Sequence, residues 1–488
     1  MNRREFLSTT AAGLTFLRED PPPNLVFILA DDLGYGDIAC FGQEKIETPN
    51  IDKLAASGMR FTRHYSGSPV CAPSRCVLMT GLHSGHTWVR NNREVQPEGQ
   101  EPLPAGTVTL PGLLRKRGYV TGAFGKWGLG GPGSSGDPLV QGFDRFFGYN
   151  CQRHAHNYYP TYLWDDDRKR PLDNPDFSPH QQLPANLDPA DPASYKQYSG
   201  PQYSPDIIAA EARQFVKANA GRPFFLYLAT TVPHLALQVP EDSLSEYLGR
   251  FPETPYRGEN RYLPHRAPRA AYAAMITRMD REVGRLMKLI EDLGLGKRTV
   301  FVFTSDNGPV YDRLGATDSD FFNSSGGLHG RKGSVYEGGI RVPMIVSWPG
   351  RIAAQSRSER VTGFEDWLVT LLELTGTPKP DLTDGIGFVP TLFGRSQPAR
   401  PFLYREFPAY GGQQSVLAGE WKLVRRNLLP TPRQPGNPTA ELYHLASDPQ
   451  ESRDVTARHP EIVARLTEIM RAQHVASPRF PFPALDNA

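Results

Sequence analysis

The sequence has few cysteines, no long apolar run and no excess of either charge. Its four cysteines are too few for a disulfide scaffold and form no C-x-x-C pair of the zinc-ribbon type. The 54 Lys and Arg residues nearly balance the 52 Asp and Glu residues, which leaves a net charge of +2. This balance argues against a protein whose main partner is nucleic acid or an acidic membrane surface.

No stretch is long and apolar enough to span a bilayer, so we expect no stable membrane insertion. Residues 8–17 are mostly small and apolar, and they follow Arg3 and Arg4. An arginine pair before a short apolar stretch is typical of bacterial signals that the twin-arginine export machinery reads. We therefore expect residues 1–22 to be an export signal and linker, and the protein to be periplasmic or extracellular. The alternative is a tail that carries two arginines by chance.

Strand-like and helix-like segments alternate along most of the chain. The apolar run NLVFILA at 24–30 predicts a strand buried on both faces, and further strands are expected at 119–124, 223–229, 299–304 and 342–347. Apolar residues from Tyr272 to Ile290 recur at helical spacing before Gly294, and Thr48 is expected to cap an earlier helix. This alternation predicts an α/β fold with a large, mostly parallel sheet flanked by helices.

The pattern changes towards the C-terminus. Short strand-like pieces at 401–405, 415–424 and 441–444 precede a closing helix at 460–472. We therefore predict a larger domain at 23–380 and a smaller α+β domain at 381–488. Two Pro- and Tyr-rich stretches, at about 160–205 and 240–268, interrupt the α/β pattern and are expected to form the walls of a pocket.

Acidic side chains follow two of the predicted buried strands. Asp31 and Asp32 come after NLVFILA, and Asp306 and Asn307 come after TVFVFTS. Ligands bind at the carboxyl ends of parallel strands, and oxygen-only donor sets suit Ca²⁺ or Mg²⁺ better than zinc. The alternative is that each acidic residue only caps a helix.

A cysteine is expected at a helix N-terminus. Cys71 begins the pentapeptide CAPSR, in which Pro73 suits a first helical turn. Free N–H groups and Arg75, one turn further on, favour negative charge there, so these residues alone suggest an activated thiolate. The alternative is a buried, unreactive cysteine.

These segments together resemble the formylglycine-dependent sulfatases, the type I or arylsulfatase family. The resemblance rests on ADDLGYGD at 30–37, CAPSR at 71–75 with TG at 80–81, GKW at 125–127, SDNG at 305–308, and GRKG at 330–333 running into EGG at 337–339. It extends from about residue 24 to the C-terminus. It implies an alkaline-phosphatase-like sandwich as the catalytic domain, with a short antiparallel sheet in the smaller C-terminal domain.

The resemblance also implies roles for particular residues. A maturation enzyme would oxidise Cys71 to formylglycine, the nucleophile, and Arg75 would steady its hydrate. Lys126, His234 and Lys332 would hold the sulfate and leaving oxygens; the alternative is that they are ordinary surface or loop residues. The implied ligands of a divalent cation, usually Ca²⁺ and less often Mg²⁺, are Asp31, Asp32, Cys71, Asp306 and Asn307.

One position departs from the family. Relatives commonly read GKWH, with a histidine that touches the formylglycine hydroxyl, whereas Gly128 stands here. His154 and His156 are candidates to replace that histidine; otherwise the hydrate is handled without it.

The resemblance implies a sulfuric ester hydrolase, and we expect its substrates to be sulfated polysaccharides or oligosaccharides, or aryl sulfates. Two alternatives remain open: a phosphonate or phosphate monoester hydrolase on the same scaffold, and a non-catalytic glycan-binding relative. Four aromatic residues of the first pocket-wall stretch and its approach are candidates to stack on a sugar or aryl ring, the alternative being that they cover the sheet edge. They are Tyr158, Tyr159, Tyr162 and Trp164.

Overall fold

The computed structural model describes residues 22–311, 313–430 and 436–486. Arg3 and Arg4, on which the expected export signal depends, lie outside these residues. In the described part of the chain, no helix is both long enough and apolar enough to cross a bilayer.

The described strands are numbered in chain order. They are β1 (Asn24–Asp31), β2 (Met59–Tyr65), β3 (Val120–Lys126), β4 (Arg145–Tyr149), β5 (Tyr162–Asp165), β6 (Arg168–Pro171), β7 (Phe224–Pro233), β8 (Thr299–Ser305), β9 (Arg341–Ser347), β10 (Ser356–Ser358), β11 (Thr362–Gly363), β12 (Leu403–Phe407), β13 (Gln413–Ala418), β14 (Trp421–Arg426) and β15 (Thr439–His444).

The described α-helices are numbered in the same way. They are α1 (Pro49–Ala56), α2 (Cys71–Thr80), α3 (Leu110–Lys116), α4 (Ser204–Ala218), α5 (Glu241–Leu244), α6 (Pro268–Asp292), α7 (Glu337–Ile340), α8 (Glu365–Leu374), α9 (Val389–Leu392), α10 (Pro460–Gln473) and α11 (Pro483–Asp486).

The larger sheet contains β1 to β11, with β1 near its centre. Strands β8, β1, β7, β3 and β4 are neighbours in that order and run parallel. Strand β9 runs antiparallel to β8 and β2, and β5 and β6 form an antiparallel extension at the opposite end. The prediction of a large, mostly parallel sheet is confirmed.

Strand β1 explains why its sequence is a continuous apolar run. Val26 and Ile28 join a core cluster that includes residues of α4 and α6. Leu25 and Phe27 join a second cluster, which includes residues of α2 and α8. Successive side chains of a strand point to opposite faces, so a strand covered by helices on both sides is apolar throughout.

The smaller sheet has the antiparallel order β12-β13-β14-β15. On one face Val416 packs in a cluster with Leu466 of α10, and on the other Leu417 packs in a cluster with Tyr65 of β2. The α+β character of this region is therefore as predicted. Leu392 of α9 belongs to the core of the larger sheet, and the exact division of the chain near residue 380 stays a prediction.

The end of α6 follows its local sequence signal, whereas the start of α1 depends on a distant residue. The long helix predicted through Tyr272 and Ile290 is α6, and Gly294 follows it in the left-handed region. Thr48 stands at the N-cap position of α1, as predicted, but its side chain makes no capping bond, because its hydroxyl accepts a hydrogen bond from the Ala39 N–H, at 2.9 Å. The Asp280 carboxylate of α6 accepts from the Ile51 N–H at 2.7 Å and so caps α1 from a distant part of the chain.

Gly125 allows the close approach of β3 to β7 just before Lys126. Its φ is +111°, and a Cβ atom there would overlap the carbonyl oxygen of Ala229. Gly118 also has a positive φ, of +92°, but a Cβ atom there would meet no atom within 4 Å. A side chain at residue 118 would therefore cause backbone strain alone, whereas a side chain at residue 125 would cause both backbone strain and a steric clash.

We expect Gly118→Ala to cost about 1 kcal/mol of stability, from the positive φ alone. Gly125→Ala adds the clash with β7, and we expect it to cost at least about 3 kcal/mol. Urea denaturation followed by circular dichroism measures both. Equal shifts of the two midpoints would contradict this account of the β3–β7 contact.

Candidate active site

The two acidic pairs meet at one edge of the larger sheet, as predicted. Asp31 ends β1, and Asp306 comes directly after β8, the parallel neighbour of β1. The Asp306 carboxylate accepts a hydrogen bond from the Asp32 N–H at 3.1 Å, and Ser305 accepts one from the Leu33 N–H at 2.9 Å. These bonds fix the two strand ends side by side.

Helix α2 delivers the cysteine to this edge. Val70 is extended, and Cys71 is the first helical residue, as the proline two positions later predicts. The Cys71 Sγ lies 3.4 Å from Asp31 Oδ1 and 3.8 Å from Asp32 Oδ1. The thiol of Cys71 is therefore in direct contact with the acidic pair at the end of β1.

Three cations face the three carboxylates. Arg75 binds Asp306 through Nη2 at 2.8 Å and Nε at 3.0 Å. The other two pairs are Lys126 Nζ with Asp31 Oδ2 at 2.6 Å and Lys332 Nζ with Asp32 Oδ2 at 2.7 Å. Since buried charges are costly unless paired, this matching is what makes so dense a group of carboxylates tolerable.

The pKa shifts follow from burial and these pairings. Burial alone would raise the pKa of Asp31, but Lys126, together with other nearby cations, holds it below its ordinary value. Burial, with the adjacent Asp31 charge, raises the pKa of Asp306 to about 6. Burial disfavours the charged form of Lys332, but the charge of Asp32 holds its pKa above the ordinary value.

Cys71 is a protonated thiol in this setting. Its side chain is buried, with 1% of the residue exposed. Burial raises the pKa of Cys71 well above its ordinary value, and the opposing effects of Lys126 and Lys332 do not offset it. The structure thus favours the buried, unreactive thiol over the activated thiolate.

His234 also lines the site. Its Nε2 lies 3.5 Å from Asp32 Oδ2, and its Nδ1 lies 2.6 Å from the carbonyl oxygen of Leu235. Burial, and then the charge of Lys332, lowers the pKa of His234 to about 4. The ring is therefore neutral near pH 7, with Nδ1–H donating to the Leu235 carbonyl and the Nε2 lone pair facing the site.

The acidic groups suit a divalent cation. Ligand atoms of Asp31, Asp32, Cys71 and His234 all lie within 4.8 Å of one another. Asn307 Nδ2 donates to Asp32 Oδ1 at 2.8 Å, whereas the buried Oδ1 of Asn307 has no hydrogen-bond partner. A buried acceptor without a donor, beside carboxylates, fits a hard cation that takes oxygen ligands.

A cavity of about 620 Å³ opens from Cys71 and Asp32 towards solvent. As predicted, the two Pro- and Tyr-rich stretches contribute to its walls, with His180 from the first and Tyr262 from the second. Its volume is in the range of small-molecule sites. The other wall residues include Asn92, Glu94, Gln100, Gln152, Arg153, Arg261, Tyr311, Lys332 and Tyr410.

The aromatic residues of this cavity are largely not those expected. Tyr158 and Tyr159 are buried in the core beside Tyr203, so the expectation that they stack on a substrate is wrong. Tyr162 and Trp164 instead bind Glu98 outside the cavity walls. The aromatic wall residues are Tyr262, Tyr311 and Tyr410. Of these three, only Tyr262 lies in one of the two Pro- and Tyr-rich stretches that were predicted to form the walls.

Of the two candidate replacement histidines, one reaches the cavity. His156 lines it and stacks on His234, with ring centroids 4.9 Å apart and planes 10° apart. His154 Nδ1 instead lies 3.4 Å from Glu98 Oε1 and is not among the cavity walls. Gln152, which sequence reasoning did not single out, lies against Gly128 itself.

Comparison with known proteins agrees with this fold. A family model described as sulfatase matches residues 23–377, and one described as N-sulphoglucosamine sulphohydrolase, C-terminal, matches residues 327–476. Human arylsulfatase A is 36% identical over 432 residues, which cover 86% of this chain and 77% of the relative. N-acetylgalactosamine-6-O-sulfatase of Bacteroides thetaiotaomicron is 28% identical over 510 residues, covering 92% and 93%.

A solved structure, that of Ps i-CgsB, matches with a TM-score of 0.74 at 26% identity and covers 92% of each chain. The fold and site together define a hydrolase of the alkaline-phosphatase-like superfamily. The chain belongs to the sulfatase family and is a sulfuric ester hydrolase, as its sequence motifs predicted. This family generally uses formylglycine and a divalent cation.

Proposed function

We propose that this sulfatase cleaves sulfate esters of extracellular carbohydrates at Cys71, oxidised to formylglycine, beside a bound Ca²⁺. The observation that carries the proposal is the contact of the Cys71 Sγ with Asp31 Oδ1, at 3.4 Å, amid paired carboxylates and cations. One side chain thus lies within reach of both a cation site and the groups that would bind an anion.

Charge balance supports an anionic ester as the substrate. Three carboxylates and three cationic side chains cancel one another, and His234 is neutral. A divalent cation held by Asp31, Asp32, Asp306 and Asn307 would leave a net charge of about +2 in the site. That excess suits a sulfate ester, which carries one negative charge and develops more on the bridging oxygen during cleavage. Mg²⁺ is the less favoured ion, because it demands a stricter octahedral geometry.

Formylglycine would supply a hydrated aldehyde, one hydroxyl of which attacks sulfur while the other later expels sulfate. Lys126 and Lys332 would turn from their carboxylate partners to hold oxygens of the sulfate ester, which would leave Asp31 and Asp32 free to bind the cation. Arg75, fixed by Asp306, would orient the residue-71 side chain from within the same helix.

Position favours Lys332 over His234 as the proton donor to the leaving oxygen. Lys332 Nζ lies 3.5 Å from Cys71 Sγ, whereas the proton of the neutral His234 ring is on Nδ1 and points to the Leu235 carbonyl oxygen. A neutral His234 would bind through Nε2 as an acceptor, for example from a hydroxyl of the hydrate or the substrate.

The cavity supports a carbohydrate substrate. Tyr262 and Tyr311 place aromatic rings in its wall, and Arg153, Arg261 and His180 add polar groups for a larger, anionic ligand. The names of two similar proteins also point to carbohydrate ligands. The Bacteroides relative is named an N-acetylgalactosamine-6-O-sulfatase, and Ps i-CgsB has been solved with k-i-k-neocarrahexaose. Sulfated oligosaccharides or polysaccharides are therefore the substrates that we propose.

The proposed partners outside the site are a formylglycine maturation enzyme and the twin-arginine export machinery. The first is needed because the buried thiol of Cys71 is not itself a competent nucleophile. The second rests on Arg3 and Arg4 and places the protein outside the cytoplasm, where sulfated polysaccharides occur.

The protein co-expressed with a maturation enzyme should hydrolyse 4-nitrophenyl sulfate in clear preference to 4-nitrophenyl phosphate. We expect this preference because the chain belongs to the sulfatase family, whereas a site charge of about +2 would by itself accept either ester. Initial rates on both esters, followed by a sulfate-release screen over defined sulfated sugars, measure this. A phosphate preference would favour the rival hydrolase.

The mass of the peptide that contains Cys71 is the control for this assay. Conversion to formylglycine should accompany activity, and Cys71→Ala should abolish turnover. An unmodified thiol after co-expression, without turnover, would favour a non-catalytic glycan-binding protein.

Asp306→Ala should remove cation binding and reduce kcat/KM at least about a hundredfold, because Arg75 loses its partner and the cation a ligand. Thermal unfolding should show a Ca²⁺-dependent shift for the unaltered protein but none for this variant. Asp292→Ala, on the exposed end of α6, is the matched control and should keep both the shift and the activity. Full turnover in a chelator would contradict the cation site.

Replacing Arg3 and Arg4 together with lysine should retain the protein in the cytoplasm, since the export machinery reads the arginine pair. Cell fractionation and immunoblotting measure this, with the unaltered chain as the control. Unchanged export of the double variant would exclude this route.

A further inference from the structure

The wall of the Cys71 cavity contains a buried amide, that of Gln152, which makes no contact with the proposed catalytic residues through a hydrogen bond. Gln152 has 6% of its surface exposed and lines the same cavity as Cys71, Asp32 and Lys332. Neither its Nε2 nor its Oε1 has a hydrogen-bond partner in the described residues. Leaving such a buried group unsatisfied costs about 1–3 kcal/mol, a cost that a ligand with a matching polar atom removes.

Gly128 creates the space that this amide occupies. A Cβ atom on Gly128 would overlap Gln152 Nε2, and the φ of Gly128, +83°, also disfavours any larger residue. The amide therefore fills the position into which a side chain at residue 128 would project. In the family that the sequence resembles, this is where the histidine of GKWH begins.

The backbone fixes the amide beside the chain that carries Lys126. The N–H groups of Trp127 and Gly128 donate to the carbonyl oxygens of Tyr149, at 2.9 Å, and Asn150, at 3.3 Å. Tyr149 and Asn150 are thereby held against Trp127 and Gly128, and Gln152 Nε2 lies against Gly128. Lys126, two residues before Gly128, binds Asp31 at the centre of the site. These main-chain contacts hold the segment that leads to Gln152 beside the chain that carries Lys126, and the amide lines the same cavity as Cys71.

We propose that Gln152 is a substrate-binding residue of the hydrolysis, with Nε2 donating a hydrogen bond to an oxygen of the sulfate group. This inference rests on the proposed function of the Cys71 site. An anion accepts hydrogen bonds and offers none, so the donor end of the amide is the end that faces it. An amide does not titrate, so this contact is the same across the working pH range, unlike one from a histidine.

The test compares Gln152→Met, which keeps the volume of the side chain without its polar atoms, with the unaltered protein. Both are co-expressed with the maturation enzyme and assayed with Ca²⁺ on 4-nitrophenyl sulfate, which has no sugar to contact. We expect kcat/KM to fall at least about tenfold, the effect of losing one hydrogen bond to a charged group. Gln152→Ala should give a similar loss, which guards against a packing artefact of methionine.

A second measurement does not depend on turnover. Inorganic sulfate is titrated calorimetrically, in the presence of Ca²⁺, into each protein expressed without the maturation enzyme, so that Cys71 remains a thiol. We expect the affinity of the Gln152→Met protein for sulfate to be at least about tenfold weaker. Equal affinity of the two proteins for sulfate would overturn the proposed contact.

Gln141→Ala is the matched control for loss of a buried glutamine. Gln141 is 4% exposed, donates from Nε2 to the Ser135 carbonyl oxygen and is not a wall residue of the cavity. Its variant should keep the sulfate affinity and turnover of the unaltered protein even where its melting temperature falls.

The outcomes separate the two proposals. Absence of turnover in the unaltered, matured protein would refute the proposed function. Turnover of 4-nitrophenyl sulfate by Gln152→Met at the unaltered rate would refute the inference about Gln152 alone. A loss confined to saccharide substrates would also refute it, because the amide would then contact the sugar instead of the sulfate.

Discussion

The burial of three carboxylates at one end of the larger sheet is the constraint on which the site depends. Asp31, Asp32 and Asp306 are fully buried and adjacent, so their mutual repulsion and loss of hydration must be offset. The offset comes from Arg75 of α2, Lys126 of β3 and Lys332 of the loop before α7. The ion pairs therefore join elements that are far apart in the chain, and the same cations are in place to bind an anion.

The smaller sheet contributes to this arrangement through the loop that carries Lys332. Gln413 of β13 donates to the Gly333 carbonyl oxygen at 2.7 Å, and the Gly333 N–H donates to Pro69, just before α2, at 2.8 Å. Lys422 of β14 also binds Glu337 at the start of α7, at 2.8 Å. The smaller sheet thus fixes the loop that carries Lys332 and, through that loop, the residues just before Cys71.

Sequence alone predicted the parts of the molecule that local patterns encode. Apolar runs and helical periodicity gave β1, β8 and α6, and the strand-end positions of Asp31 and Asp306 gave their meeting point. Thr48 is the N-cap residue of α1, but Asp280, distant in sequence, supplies the side-chain oxygen that accepts from the helix N–H groups. Such long-range contacts have no local signal.

The cavity walls were predicted only as regions of the chain. The Pro- and Tyr-rich stretches indicated that a pocket wall would form, but the path of each loop decides which side chain faces inward. Tyr158 therefore turned out to be core, while Tyr262 lines the cavity. Gln152 had one indirect signal, the glycine at residue 128 where relatives have a histidine. A glycine at residue 128 predicts free space beside Lys126, but it does not identify the residue that occupies this space.

The position of Cys71 resolves a conflict between two physical effects. A helix N-terminus and nearby cations favour a thiolate, but complete burial beside carboxylates opposes it more strongly, and the thiol stays protonated. An aldehyde hydrate is neutral, so it does not bear the same cost of burial. Burial of the paired carboxylates and cations also strengthens each hydrogen bond and ion pair that they make to a bound sulfate. Burial at this helix start is therefore better suited to the oxidised side chain than to the cysteine from which it is made.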